Sequence, residues 1–319
     1  LVKVIKTARQ SVKIAIVGKY FETGDFTLED SYISVIEAIK HAAWHLKLKP
    51  EITWLDSQNF EAAKDPRRPN KNLTQLKQFD AIIVPGGFGS RGIEGKINAI
   101  FYARKNKIPF LGLCYGLQLA CVEFARNVLG LKDAHTEEIN PKTKNPIIHI
   151  LPEQKELLKQ KKYGATMRLG NYDCAILPGT KAHSLYKKYN YNQSKNISNK
   201  IIVISERHRH RYEFNNKYRD LFEENGLKIV GVNIPILRCN GGPACPPPRT
   251  DKHTGNGGTA CPPLQTGEQF KNNLAEIIEL NGHPYFIGTQ FHPEFKSRPR
   301  YPHPLFVGLL QTAVKLLNC

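Results

Sequence analysis

Cys114 lies in Pro109-Phe-Leu-Gly112-Leu-Cys114-Tyr-Gly116-Leu-Gln118, where two glycines bracket a single thiol. Ile108 to Leu113 is an apolar run of strand length, and Leu117, Leu119, Ala120, Val122 and Phe124 begin a helical apolar pattern. G-x-C-x-G between a strand and a helix is the thiol form of a nucleophile elbow. The tight turn lifts one side chain above a sheet, and the glycines relieve backbone crowding. A helix N-terminus also favours the thiolate, the reactive form. The same residues fit a small buried cysteine that only packs, so the rest of the chain has to decide.

A cysteine nucleophile needs a base, an orienter for that base and donors for the developing oxyanion. His292 leaves a strand expected over Tyr285 to Gln290 and is followed two residues later by Glu294. In extended backbone, positions i and i+2 point the same way, so the carboxylate can reach the imidazole. Gly86-Gly87 follows a strand expected over Asp80 to Val84, with no side chains to obstruct its amides as oxyanion donors. The segment Gly87 to Gly92 also matches G-x-G-x-x-G, but the acidic residue expected about twenty positions on is replaced by the neighbourhood of Gly112, which disfavours a dinucleotide site. Arg207-His-Arg-His-Arg211 offers too short a run for many phosphate contacts, so a local role holding a carboxylate or a nearby acidic ligand is preferred over a merely exposed cationic turn.

The elements that position these residues alternate. Strands are expected at Val12 to Val17, Glu51 to Leu55, Asp80 to Val84 and Ile108 to Leu113, with helices over Leu28 to Leu48 and Gly95 to Asn106. This rhythm predicts an α/β fold with a mostly parallel central sheet, helices on both faces and ligands at the C-terminal strand ends. Further strands are expected at Ile201 to Ser205 and Ile229 to Ile234, regular structure resumes at Ala275 to Leu280, and a closing helix is expected at Leu305 to Leu317. Residues 238–267, rich in Gly, Pro, Thr and Asn, read as a disordered or loop insertion; the spacing of Cys239, Cys245, His253 and Cys261 fits no common zinc pattern.

With 319 residues and 40% hydrophobic content the chain can bury a full core. No apolar run approaches the roughly 18–20 residues that span a bilayer, so no membrane partner is expected. Seven cysteines without a tight framework suit a reducing, cytoplasmic setting. The net charge of +18 is mostly scattered lysine without interleaved aromatics, which points to a solvated surface and not to a nucleic-acid partner. The only methionine is Met167, so the chain is expected to begin partway through a longer protein.

Together these residues resemble the class I glutamine amidotransferase family, and within it the C-terminal glutaminase domain of CTP synthases. The likeness rests on Pro85-Gly-Gly-Phe-Gly-Ser-Arg-Gly92, the elbow, Glu123-Phe-Ala-Arg-Asn-Val128, Glu206-Arg-His-Arg-His-Arg-Tyr-Glu213, Gln290-Phe-His-Pro-Glu-Phe295 and His303-Pro-Leu-Phe306. It covers roughly residues 12–235 and 268–318. The resemblance implies a flavodoxin-like three-layer fold over 12–319, with 1–11 as the linker from an N-terminal synthetase domain. It implies that Cys114 attacks the glutamine amide to form a thioester, His292 moves the protons and Glu294 orients it. Gly87 and Tyr115 would supply oxyanion amides, Tyr115, Gly116, Leu117 and Gln118 would line the glutamine site, and Glu138 and Arg211 would hold the α-amino and α-carboxylate ends. No cofactor or metal is implied for the glutaminase half. ATP, Mg2+ and UTP belong to the synthetase domain, GTP is an activator, and the full-length protein is expected to be a homo-oligomer, a tetramer. Tyr115 stands where the family usually has leucine. Other triad glutaminases, γ-glutamyl hydrolases and non-catalytic amidotransferase-like modules share parts of this pattern, though no triad member is missing here.

Overall fold

Short strands that are apolar at every position are stable only when both of their faces are covered, and that condition shapes this molecule. The computed structural model describes residues 5, 7–19, 22–23, 26–27, 32–61, 71–151, 154, 167–189, 195–197, 201–234 and 268–318. The expected insertion at 238–267, with its cysteines and His253, lies outside them, as does most of the expected linker before residue 7. The main strands are β1 (Ser11–Gly18), β2 (Lys49–Asp56), β3 (Ala81–Val84), β4 (Phe110–Leu113), β5 (Arg168–Ile176), β6 (Lys195–Ile197), β7 (Ile201–His210), β8 (Leu227–Asn233), β9 (Ala275–Leu280) and β10 (Phe286–Thr289). The helices are α1 (Ile33–His45), α2 (Ile93–Lys105), α3 (Tyr115–Asn127), α4 (Lys181–Lys188), α5 (Arg219–Glu224) and α6 (Pro304–Leu317).

The ten strands form one sheet in the order β6-β7-β5-β8-β9-β10-β4-β3-β1-β2. The run β10-β4-β3-β1-β2 is parallel, and the remaining pairs are antiparallel. The expected parallel character therefore holds in the half that carries the elbow, while the sheet as a whole is mixed. Connection length accounts for part of this pattern. Parallel neighbours need a crossover of a dozen or more residues, which α1, α2 and α3 supply. Only five residues separate Leu280 from Phe286, so β9 and β10 can only run antiparallel.

Alternate strand residues feed two cores. Ala15, Val17, Ile82, Val84 and Phe110 face Ile97, Ile100, Phe124 and Phe222 of α2, α3 and α5. Ile14, Ile16, Ile83, Leu111 and Leu113 face Val35, Ile39, Tyr186, Leu305 and Leu309 of α1, α4 and α6. Helices thus cover both faces, as expected. The helix foreseen over 28–48 is observed as Ile33–His45, its first positions lying outside the described residues. No helix among the described residues is long and apolar enough to cross a membrane.

The Glu123 motif ties α2 to α3. Glu123, fully buried, accepts from Arg104 Nε and Nη2 at 2.8 and 2.7 Å and from Asn127 Nδ2 at 3.1 Å. Removing one partner of such a pair strands the other charge. Arg104→Met is accordingly expected to destabilise the fold by about 3–5 kcal/mol, read by denaturant unfolding, whereas an exposed pair such as Lys271–Asp220 should cost under ~1 kcal/mol.

Candidate active site

The parallel strands β3, β4 and β10 end side by side, and the elbow, the Gly86-Gly87 turn and His292 emerge from them. β4 delivers Cys114 just before α3 with φ 50° and ψ −97°. Few non-glycine residues take this conformation, and it costs about 1–3 kcal/mol. The surroundings enforce it: the Cys114 N–H donates to the Thr289 carbonyl at 2.6 Å, and the flanking glycines allow the turn to close. A Cβ on Gly112 would stand 2.7 Å from the Gly116 carbonyl carbon, and one on Gly116 would stand 2.1 Å from the Val84 oxygen. Side chains are excluded there by backbone, which explains the spacing of the motif.

His292 accepts no slack either. Its N–H donates to the Arg207 carbonyl at 2.8 Å, its Nδ1 lies 2.7 Å from Glu294 Oε1, and the Phe295 ring stacks on it at 5.1 Å. Burial alone would lower the imidazole pKa, but Glu294 and the hydrogen-bonded Cys114 sulfur outweigh it and hold His292 well above its ordinary value. The histidine–carboxylate contact forms differently from the expected extended strand. Pro293–Lys296 is a 3-10 turn that begins at His292 and folds Glu294 back.

A cysteine beside an imidazolium can sit as a thiolate ion pair, ready to attack a carbonyl, with the same histidine as the acid that protonates the leaving group. Because the folded pKa of His292 is raised, its contribution to stability is complete below the unfolded value of about 6.5 and fades as pH rises through the folded one. With Glu294→Gln the carboxylate is gone and desolvation gains weight, so His292 is expected to titrate at lower pH. Histidine NMR across a pH series reads this shift; an unchanged midpoint would remove Glu294 from its role as orienter.

Gly86 and Gly87 form a backbone partition beside this pair. A Cβ on Gly86 would stand 2.8 Å from His292 Cε1 and 3.7 Å from Cys114 Cβ. A Cβ on Gly87 would instead face Lys96 Nζ at 3.5 Å and Tyr115 Cδ1 at 3.8 Å. Farther along the loop, Gly89 is held at both polar atoms: its N–H donates to Glu138 Oε1 at 3.0 Å, and its carbonyl accepts from Tyr115 Oη at 3.1 Å. Burial and Glu138 push the Tyr115 phenol up, so it remains a donor. Tyrosine in place of the usual leucine therefore adds a clamp on the glycine loop.

Glu138 and Arg211 both lie near Tyr212. Burial raises the Tyr212 phenol pKa, Glu138 raises it further and Arg211 lowers it, so both charges act on one side chain. Gln118 is turned inward, donating to the Tyr212 carbonyl at 2.9 Å and to Gln290 Oε1 at 3.2 Å. Leu117 packs in the core, and the missing side chain of Gly116 faces β3, so these two expected lining residues offer the site only backbone.

Arg207 to His210 is strand, not turn. Strand alternation exposes Arg207 and Arg209 and buries His208 and His210, which meet Glu276 at 2.6 Å and Glu213 at 2.8 Å. Arg168 joins the same carboxylates at 2.8 and 3.1 Å. The histidines thus hold carboxylates, one of the two readings of that run, and stiffen the strand whose Arg207 carbonyl positions His292. Two site residues escaped the sequence. Gln290 places Nε2 3.7 Å from Cys114 Sγ; its signal was the i, i+2 relation to His292. Lys96 stands on the buried stripe Ile93, Ile97, Ile100 of α2; its signal was a charge on an apolar face.

Among the described residues no group of three or more His, Cys, Asp or Glu could hold a metal ion, and Cys114, Cys121 and Cys174 are free thiols. A doubly covered sheet with a thiol elbow beside a histidine–carboxylate pair is the architecture of a thiol amidohydrolase. Residues 27–236 and 264–312 match the family described as Glutamine amidotransferase class-I, and the chain belongs to that family. Its resemblance to CTP synthase glutaminase domains is borne out as well. The solved Trypanosoma brucei CTPS glutaminase domain with bound acivicin is 31% identical at a TM-score of 0.72, covering 95% of this chain and 94% of that one. CTP synthases of Sulfurisphaera tokodaii and Coprothermobacter proteolyticus are 44% and 41% identical over 309 residues, 97% of this chain and 46% of each relative. The chain thus spans about half the length of the curated relatives it matches, and it is a glutamine amidotransferase domain.

Proposed function

We propose that Cys114 attacks the side-chain amide of free glutamine. The thiolate adds to the amide carbon, and the carbonyl electron pair moves onto oxygen beside the Gly87 and Tyr115 amides. The His292 imidazolium then gives its proton to the amide nitrogen, the C–N bond breaks and ammonia leaves a thioester. Water, losing a proton to His292, adds to that thioester; glutamate departs and the thiolate returns. Glu294 keeps His292 oriented throughout, and Glu138 and Arg211 hold the α-amino and α-carboxylate groups of the substrate. The observation that carries this reading is the strained Cys114 backbone set against the His292–Glu294 pair.

In the whole protein the ammonia passes to a synthetase part, where ATP and Mg2+ activate UTP for conversion to CTP. GTP stimulates the glutaminase half, and the full-length chain works as a cytoplasmic tetramer. The direct test is to incubate the chain with glutamine, measuring ammonia and glutamate, with and without GTP. Stoichiometric release of both supports the reading, and a rise with GTP supports the CTP synthase assignment. Hydrolysis of γ-glutamyl peptides in preference to glutamine would replace it with a γ-glutamyl hydrolase.

A further inference from the structure

Lys96 is wholly buried on α2, and its Nζ has no hydrogen-bond partner. A buried ammonium without a hydrogen-bond partner is costly and uncommon, because desolvation disfavours the charge. Its placement is specific. The Nζ lies on the far side of the Gly86-Gly87 partition from Cys114 and His292, 3.5 Å from the position of a Gly87 Cβ and 5.5 Å from the Tyr115 ring centroid. Tyr115 and Gly87 are the two residues whose amides flank the developing oxygen in the reaction above. Lys96 therefore brings a buried positive charge without a hydrogen-bond partner up behind the glycine backbone that flanks Cys114 and His292.

We propose that Lys96 is the charge-complementing positioning residue of the oxyanion loop: its ammonium, set behind Gly87, favours the negative charge that develops on the glutamine carbonyl oxygen and holds the loop in the orientation that receives it. This rests on the glutaminase reading. The mechanism is electrostatic preorganisation: a fixed charge in a dry site gains more from charge appearing nearby in the transition state than it would in water. The groups acting on Lys96 fit that role. Burial lowers its pKa to about 7, Lys19 pushes the same way, and Asp56 opposes both. Lys19 is itself bonded to the Phe88 carbonyl of the same loop. Tyr115 presents a ring and, held high by burial and Glu138, stays neutral; His292 stands across the partition. The ammonium of Lys96 is thus present below neutrality and lost above it.

The test compares the chain with Lys96→Met, which keeps the volume and removes the charge. Steady-state glutamine hydrolysis is expected to lose roughly 10–100-fold in kcat with KM within about threefold, as fits one electrostatic contributor to an oxyanion site. The alkaline fall of kcat/KM near neutrality in the parent chain should be missing in the variant. Alkylation of Cys114 by iodoacetamide, which passes through no oxyanion, should proceed at the parent rate. The variant should also melt at a higher temperature than the parent, since a desolvated charge without a hydrogen-bond partner has been removed, so loss of activity cannot be ascribed to unfolding. Unchanged kcat and pH profile would overturn the proposal. A parallel loss of alkylation would overturn it too, by placing the effect on the thiol. A parent chain that releases no ammonia would remove the glutaminase reading itself, and the proposal with it.

Discussion

Replacing Cys114 with alanine should reduce ammonia release from glutamine by on the order of 10⁴-fold or more while the chain stays folded. The nucleophile cannot be bypassed in a thioester route, and what would remain is positioning of the substrate amide near water. The thiol's side-chain partners lie within the site, a long contact from Gln290 Nε2 at 3.7 Å and a hydrogen bond with His292, so the core does not depend on it. Backbone strain gives a second, independent readout. Cys114 holds φ 50°, which an L-residue adopts at a cost and glycine adopts freely. Cys114→Gly should therefore be as inactive as Cys114→Ala yet more stable than it by about 1 kcal/mol, measured by denaturant unfolding. Equal turnover in the parent and alanine chains would remove Cys114 as nucleophile. A glycine variant less stable than the alanine variant would show that the elbow is not strained.

Gly116→Ala should be a severely damaging single-methyl change. The new Cβ would stand 2.1 Å from the Val84 carbonyl oxygen, 3.1 Å from its carbon and 3.4 Å from its Cβ. None of these atoms can rotate aside, because Val84 is fully buried in β3 and paired with Gly112 of β4. Either α3 lifts from the sheet or β3 bends, and overpacking of that kind costs about 3 kcal/mol or more. Lifting α3 also moves the Tyr115 amide and the Cys114 turn, so turnover should fall with stability. Gly130→Ala is the contrast. Nothing lies within 4 Å of its Cβ position, and only φ 73° opposes the change, so about 1–2 kcal/mol and no loss of turnover are expected. Comparable losses in the two variants would mean that the close approach of α3 to β3 is looser than drawn.

Much of the site was legible because its residues are punctuated locally. Gly112, Cys114 and Gly116 mark one turn, and a two-residue step separates His292 from Glu294. Even so, the reason given for the second contact was incomplete: Pro293 starts a 3-10 turn, and that turn, not extended backbone, swings Glu294 onto the imidazole. The histidines of Glu206 to Glu213 illustrate the limit of reading charge alone. A run of five basic residues suggests a surface, yet strand alternation buries two of them against Glu213 and Glu276, one of which lies far away in sequence.

By itself the sequence determined the strand-and-helix rhythm, the elbow and the identity of a thiol–imidazole–carboxylate set, because hydrophobic period and turn chemistry act over a few residues. Tertiary structure decided what depends on partners distant along the chain. It made half of the sheet antiparallel, including the β9–β10 pair, whose connection is too short for a crossover. It turned Gln118 inward and Leu117 into the core, because one helix cannot present every side to a ligand. It also buried a lysine without a hydrogen-bond partner behind two glycines. Burial and charge compensation are sums over neighbours from several elements, and no local stretch of sequence contains that sum.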